Sequence, residues 1–258
     1  MASPSPLLVF DFDGVIVDGM LEYWWSARKA CIDLLGAEVK QASATSVPKS
    51  FRQLRPWVNH GWEMVLIATE ILRPESSLAR KGIKDFANNY KLRCKQALEA
   101  QGWTANQLQA ALENVRQQAL TEDKAHWLDL HKPFPIVVKH LQSLRDEGIE
   151  LVVLTTKGTD FTHQLLQSFH LKTSMLFGHE AGSKAEVLLQ LSLQRSLLGF
   201  VEDRRETLEK ILQTPGLTSL ACYLANWGYL KPEDCQALPD GIQLLKQETL
   251  TTPLATWT

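Results

Sequence analysis

The sequence predicts an α/β protein, a doubly wound, Rossmann-like parallel sheet whose first strand is separated from the others by an inserted all-helical domain. Three observations carry this. An apolar run, Leu7-Leu8-Val9-Phe10, enters Asp11-Phe12-Asp13-Gly14 near the start of the chain. Helical apolar spacing then fills more than a hundred residues. From about Pro133 short apolar strands alternate with helices of ten or so residues, the pattern of a parallel sheet covered on both faces.

The first strand covers 7–12, and the two acids that follow it need a reason. A carboxylate in an apolar setting costs several kcal/mol unless it is paired, metal-bound or at an exposed strand end. A position at the carboxyl end suits both, because open α/β sheets bind ligands there. Gly14 permits a sharp turn close to a ligand. Helices are then expected over 20–36, 51–72 with a break at Gly61, 82–101 and 104–130, punctuated by Gly36, Pro48, Pro74 and Gly102. Asp18 is the expected N-cap of the first, and Thr104 with Gln107 forms a capping box for the last. Val65-Leu66-Ile67-Ala68 reads as a buried helix face.

Pro133-Phe134-Pro135 reads as a hinge, since proline fixes φ and restricts its neighbour. Beyond it the expected elements are a helix over 136–147, a strand over 149–154, a helix over 160–169 and a weak strand near 174–178. A helix over 184–195, a strand at 197–201, a helix over 205–213, a strand around 219–224 and an irregular tail complete the chain. A βαβ crossover needs only about 30 residues. The helical block between the first two strands is therefore an insertion, which divides the chain into a core of 1–18 and 133–258 and an inserted domain of 19–132. The linkers near 15–19 and 131–135 are expected hinges for closure of one over the other.

With 258 residues, 45% hydrophobic and 22% charged, the chain can bury a core without disulfides or a structural metal. Its 27 basic and 29 acidic residues leave no electrostatic footprint for nucleic acid or an anionic membrane, so neither is an expected partner. No apolar run approaches the ~18 residues of a membrane helix. Met1–Pro6 lacks a basic n-region and reads as a disordered lead-in. Four scattered cysteines without a CxxC pair suggest reduced packing thiols and a cytoplasmic location.

Three later strand ends resemble the first in character. The second strand runs into Thr155-Thr156-Lys157-Gly158, with Thr159 or Asp160 as the N-cap of the next helix. Hydroxyls, backbone N–H groups and a helix N-terminus can together bind an anion, although threonines also end strands for structural reasons. Ser183-Lys184-Ala185-Glu186 is a capping box that places Lys184 in the first helical turn, beside partial positive charge, where lysine is unfavourable unless it meets an anion or points to solvent. The strand at 197–201 ends in Glu202-Asp203; Asp203 could bind metal or simply cap the helix that follows.

The order of these four signals resembles the haloacid dehalogenase-like superfamily, in its phosphatase-type members with a helical cap inserted after the first strand. The matches are Asp11-Phe12-Asp13-Gly14, Leu151–Thr156, Lys184 and Phe200-Val201-Glu202-Asp203. A familiar small residue after the terminal acids is replaced by Arg204-Arg205. The resemblance implies that Asp11 attacks phosphorus to give an aspartyl phosphate, while Asp13 donates and later accepts a proton. A carboxylate attacking a phosphate dianion is repelled by about 4 kcal/mol per unit-charge pair at 4 Å and an effective dielectric near 20. Mg²⁺ would offset this, held by Asp11, the Asp13 backbone carbonyl and Asp203, with Glu202 close by. Lys184 and Thr155 would stabilise the phosphoryl oxygens, with Thr156 and Arg55 in substrate binding.

The partner is then a small phosphorylated metabolite. Arg52, Arg55 and His60 could grip a second anionic group or be solvated. Six of the eight tryptophans lie in the insertion, as core or as an aromatic pocket. A Mg²⁺-dependent phosphomonoester hydrolase is the expected activity, with a phosphosugar mutase of the same fold and a non-catalytic binding protein as alternatives.

Overall fold

A computed structural model describes residues 4–36 and 46–257. The chain forms two compact units, one of Met1–Asp18 with Lys132–Thr258 and the other of Gly19–His131.

Among its described residues the second unit is all-helical: α1 (Met20–Leu35), α2 (Lys49–Leu54), α3 (Gly61–Leu72), α4 (Ser77–Asn88), α5 (Tyr90–Gln101), α6 (Ala105–Glu122) and α7 (Lys124–Asp129). Its elements are shorter than the apolar spacing predicts, and polar groups supply the interruptions. The expected helix 51–72 stops at Leu54, before Gly61, because Pro56 cannot donate; a 3-10 turn at Arg55–Trp57 follows. The restart at Gly61 is fixed by Glu63, whose carboxylate accepts the N–H groups of Asn59 and His60. The expected helix 82–101 begins earlier, at Ser77, where the Ser76 hydroxyl accepts the Ala79 N–H, and it breaks at Gly82 (φ 82°) and Asn89. The expected helix 104–130 divides at Asp123, whose side chain caps α7 through the His126 N–H.

Thr104 and Gln107 form the expected capping box, and Val65–Ala68 is buried throughout. Trp24 and Trp127 are core residues, whereas Trp25, Trp57, Trp62 and Trp103 are half-buried. The unit's centre also holds a charge. Glu22, fully buried, accepts two hydrogen bonds from Arg116 at 2.7 and 2.8 Å and one from Ser26 at 2.5 Å.

The first unit contains β1 (Leu7–Phe10), β2 (Val17–Asp18), β3 (Lys132–Pro133), α8 (Pro135–Ser143), β4 (Glu150–Leu154), α9 (Thr159–Ser168), β5 (Met175–Phe177), α10 (Lys184–Gln194), β6 (Leu197–Glu202), α11 (Arg205–Leu212), β7 (Cys222–Ala225) and β8 (Ile242–Leu245). β2 and β3 make an antiparallel ribbon, Val17 opposite Pro133 and Asp18 opposite Lys132. Pro135 occupies the first turn of α8, where its missing N–H leaves nothing unsatisfied. The other strands form one parallel sheet in the order β5-β4-β1-β6-β7-β8.

β1 is buried at every position, as are Phe200 and Val201 opposite it, which accounts for its unbroken apolar sequence. The chain builds outward from β1 through β4 and β5, then returns to β1's other side with β6. That reversal places a crevice at the carboxyl ends of β1 and β6.

Several expectations need correction. The strand expected at 219–224 starts at Cys222, because Ser219 and Leu220 close a turn in which the Leu220 N–H donates to Leu217. The irregular tail contains β8 and two 3-10 turns, Thr249–Thr251 and Leu254–Thr256. In the expected lead-in, residues 1–3 lie outside the described residues, while the Ser5 and Pro6 carbonyls accept hydrogen bonds from Arg195 and Glu150. All four cysteines are free, with Cys31, Cys94 and Cys222 buried and Cys235 exposed. No helix among the described residues is long and apolar enough to cross a membrane.

Candidate functional site

Asp11 follows β1, Glu202 ends β6 and Asp203 follows it, so the reversal of the sheet itself brings these acids together. One carboxylate oxygen from each lies within 4.8 Å of the others, and all three residues are buried. Lys184 closes the cluster from the start of α10. The capping box of Ser183 and Glu186 sets that helix start, and the Lys184 ammonium lies 2.7 Å from Asp11 Oδ1 and 2.6 Å from Glu202 Oε2. The alternative of a solvated lysine is thereby excluded.

The electrostatics follow from burial. Loss of solvent, and next the neighbouring Glu202 charge, push the Asp11 carboxyl up to about 7, although Lys184 opposes this. Burial raises Glu202 as well. Burial alone would lower Lys184, but its two carboxylate neighbours outweigh it and hold the ammonium firmly protonated. Both oxygens of Glu202 are engaged: Oε2 meets Lys184, and Oε1 accepts the N–H groups of Asp203 and Arg204 at 3.1 Å each.

Asp203 is not a helix cap. The N-cap of α11 is Arg204, and Asp203 Oδ2 instead accepts the Tyr229 N–H at 2.7 Å.

The structure treats the other expected residues differently. Asp13 directs its carboxylate at Lys157, Oδ1 to Nζ 3.3 Å, rather than joining the three-acid cluster. Thr155 is buried at the end of β4, beside β1, and its hydroxyl accepts the Lys157 N–H at 3.1 Å; Thr156 is exposed.

The anion site expected at the N-terminus of α9 is already filled. Its N-cap is Gly158, and the Glu180 carboxylate accepts from both the Thr159 N–H and the Thr159 hydroxyl. Asp18 is likewise not at the N-cap position: the N-cap of α1 is Gly19, and Asp18 accepts the Tyr229 hydroxyl at 2.7 Å. Arg55 belongs to the helical unit, where its guanidinium lies over the Tyr23 ring at 4.9 Å. Arg52 and His60 are exposed.

Lys157 and Tyr229 take part in the site without having been singled out by sequence reasoning. Lys157 stood in plain view two residues after Thr155, but lysine in a turn ordinarily points to solvent. Tyr229 acts through its backbone N–H, which no residue pattern announces.

A family model for haloacid dehalogenase-like hydrolases matches residues 6–217. The chain belongs to that family. No curated protein sequence matches the chain. Among solved structures, it is similar to a haloacid dehalogenase-like hydrolase from Streptococcus pneumoniae, at TM-score 0.57 and 17% identity over 96% of this chain and 97% of that one. A predicted phosphoglycolate phosphatase from Haemophilus somnus gives 0.60 and 17% over 97% and 98%. A proposed beta-phosphoglucomutase from Thermotoga maritima gives 0.54 and 15% over 96% and 98%. At these identities the likeness is one of fold, shared by the members of this hydrolase family.

Proposed function

We propose that the chain is a Mg²⁺-dependent phosphomonoester hydrolase that uses Asp11 as its nucleophile on a small phosphorylated metabolite. The observation that carries this reading is the buried cluster of Asp11, Glu202 and Asp203 against one ammonium, Lys184. Three buried carboxylates converge here, and buried carboxylates call for cationic partners, a role that a divalent ion can fill beside Lys184. The donors are all hard oxygens, which fit Mg²⁺. Asp11 and Asp203 would hold it, because both Glu202 oxygens are engaged elsewhere, and the Asp13 backbone carbonyl would complete the protein's share. When bound, the ion supplies charge neutralisation for the approach of a carboxylate to a phosphate.

The rest is done by the chain's own residues. Asp11 Oδ2 attacks phosphorus while Lys184 holds Oδ1 and sets the carboxylate's orientation. Glu202 holds Lys184 in turn, so the ammonium stays at the nucleophile with its remaining proton available to a phosphoryl oxygen. Thr155, fixed through Lys157, offers its hydroxyl proton to another phosphoryl oxygen. Asp13 delivers a proton to the leaving alcohol and recovers it from the water that cleaves the aspartyl phosphate.

The test is Asp11→Asn assayed with an aryl phosphate and Mg²⁺. A loss of at least about a thousandfold in kcat is expected, and wild-type turnover in the variant overturns the assignment.

A further inference from the structure

The acids that converge on Lys184 have an unassigned support on the far side of the sheet reversal. It is the four-residue turn Asn226-Trp227-Gly228-Tyr229 that follows β7. Each of its last three residues touches the loop after β1 or the side chain of Asp203. Trp227 Nε1 donates to the Val15 carbonyl at 3.0 Å. Gly228 lies so close to Asp203 that a Cβ there would stand 2.2 Å from the Asp203 Cβ and 2.9 Å from the Gly14 carbonyl. Tyr229 uses both of its ends, its N–H on Asp203 Oδ2 and its hydroxyl on Asp18 Oδ1, each at 2.7 Å. Gly14, at φ +88°, closes the other side, where a Cβ would sit 2.0 Å from Asp203 Oδ2.

The Asp203 carboxylate is therefore wedged between two glycines and held by the Tyr229 N–H. The same tyrosine reaches the strand through which the chain leaves for the inserted unit. Between these two contacts lies the turn 14–18, held by the Gly14 N–H on the Val17 carbonyl at 2.8 Å and the Val17 N–H on the Phe12 carbonyl at 3.1 Å.

We propose that Tyr229 is a positioning residue that couples the acidic site to the β2–β3 ribbon. Fixing Asp203 by ion binding fixes Tyr229, and Tyr229 holds Asp18 and with it the turn 14–18. This rests on the reading of Asp11 and Asp203 as Mg²⁺ ligands. The coupling is local because every link is a hydrogen bond or a close contact within one unit, and it is reciprocal, so the state of the ribbon is felt at the ion.

The experiment is hydrogen exchange of the full chain with and without MgCl₂, alongside calorimetric titration with Mg²⁺. In the wild type, Mg²⁺ is expected to slow exchange at the amides of 14–18 by tenfold or more. Tyr229→Phe keeps the backbone N–H and the ring but loses the hydroxyl. It is expected to bind Mg²⁺ within about threefold of wild type while losing the slowing. Asp18→Ala removes the acceptor and should behave alike, which covers a failure of Tyr229→Phe to fold. Asp18→Asn keeps an acceptor oxygen and should restore part of the slowing. Retention of the full slowing in both Tyr229→Phe and Asp18→Ala overturns the coupling, as does Mg²⁺ binding to wild type with no slowing. Absence of Mg²⁺ binding to wild type overturns the metal reading itself, and the coupling with it.

Discussion

Lys184→Met isolates what a single ammonium does in this site. Methionine roughly matches the length of the lysine stem, so the packing beside Phe200, whose ring lies 5.6 Å from the ammonium, is largely kept while the charge is lost. Asp11 and Glu202 then face one another with oxygens within 4.8 Å. At that distance two unit charges repel by about 3.5 kcal/mol for an effective dielectric near 20. Removing one partner of a buried ion pair costs about 3–5 kcal/mol in general, which agrees.

The penalty must depend on pH. Asp11 already sits at about 7 with the lysine present, and loss of the lysine raises it further. At pH 5 Asp11 is protonated in both proteins and the difference collapses; at pH 8 wild-type Asp11 is ionised beside the lysine, whereas the variant must either face Glu202 with a second anion or keep a proton that the wild type gives up. Differential scanning of wild type and variant without divalent ions is the assay. A loss of 3–5 kcal/mol corresponds to roughly 6–20 °C in Tm at pH 8, taking about 2–4 °C per kcal/mol for chains of 150–250 residues. The gap should close by more than half at pH 5. Equal Tm losses at the two pH values, or a loss under about 2 °C at pH 8, would refute the reasoning.

Other outcomes follow from the same contacts. Asp11 titrates above its unfolded value, so the stability it contributes is complete below about pH 4 and is lost as pH rises through about 7. Relative to Asp11→Asn, the wild type without divalent ions should lose up to about 4 kcal/mol across that window, and parallel curves in chemical denaturation would contradict this. In the helical unit, Arg116→Met takes the arginine from the buried Glu22 carboxylate, which keeps Ser26, and should cost about 3–5 kcal/mol in urea unfolding; a cost below about 1 kcal/mol would show the pair to be dispensable.

The sequence by itself determined the sheet-and-insertion plan and the identity of the acids and lysine. Unbroken apolar strands have no stable place except in a sheet covered on both faces, and a long helical stretch between two of them has to leave the sheet. The Ser183–Glu186 box likewise located Lys184 at a helix start, because a capping box is a contact between residues three apart. Both capping boxes, Thr104 with Gln107 and Ser183 with Glu186, join residues three apart and carried through to the structure.

Tertiary structure decided everything that depends on which distant groups meet. β8 was missed because Ile242–Leu245 has no alternation of its own and becomes a strand only by pairing with β7. Asp18 and Asp203 looked like helix caps, yet both are held by Tyr229, 211 and 26 residues away. Glu180 occupies the helix N-terminus that seemed open to an anion, 21 residues from the threonine it binds. A carboxylate carries the same chemistry wherever it lies in the chain, and only the fold determines whether its partner is a backbone amide, a lysine or a metal ion.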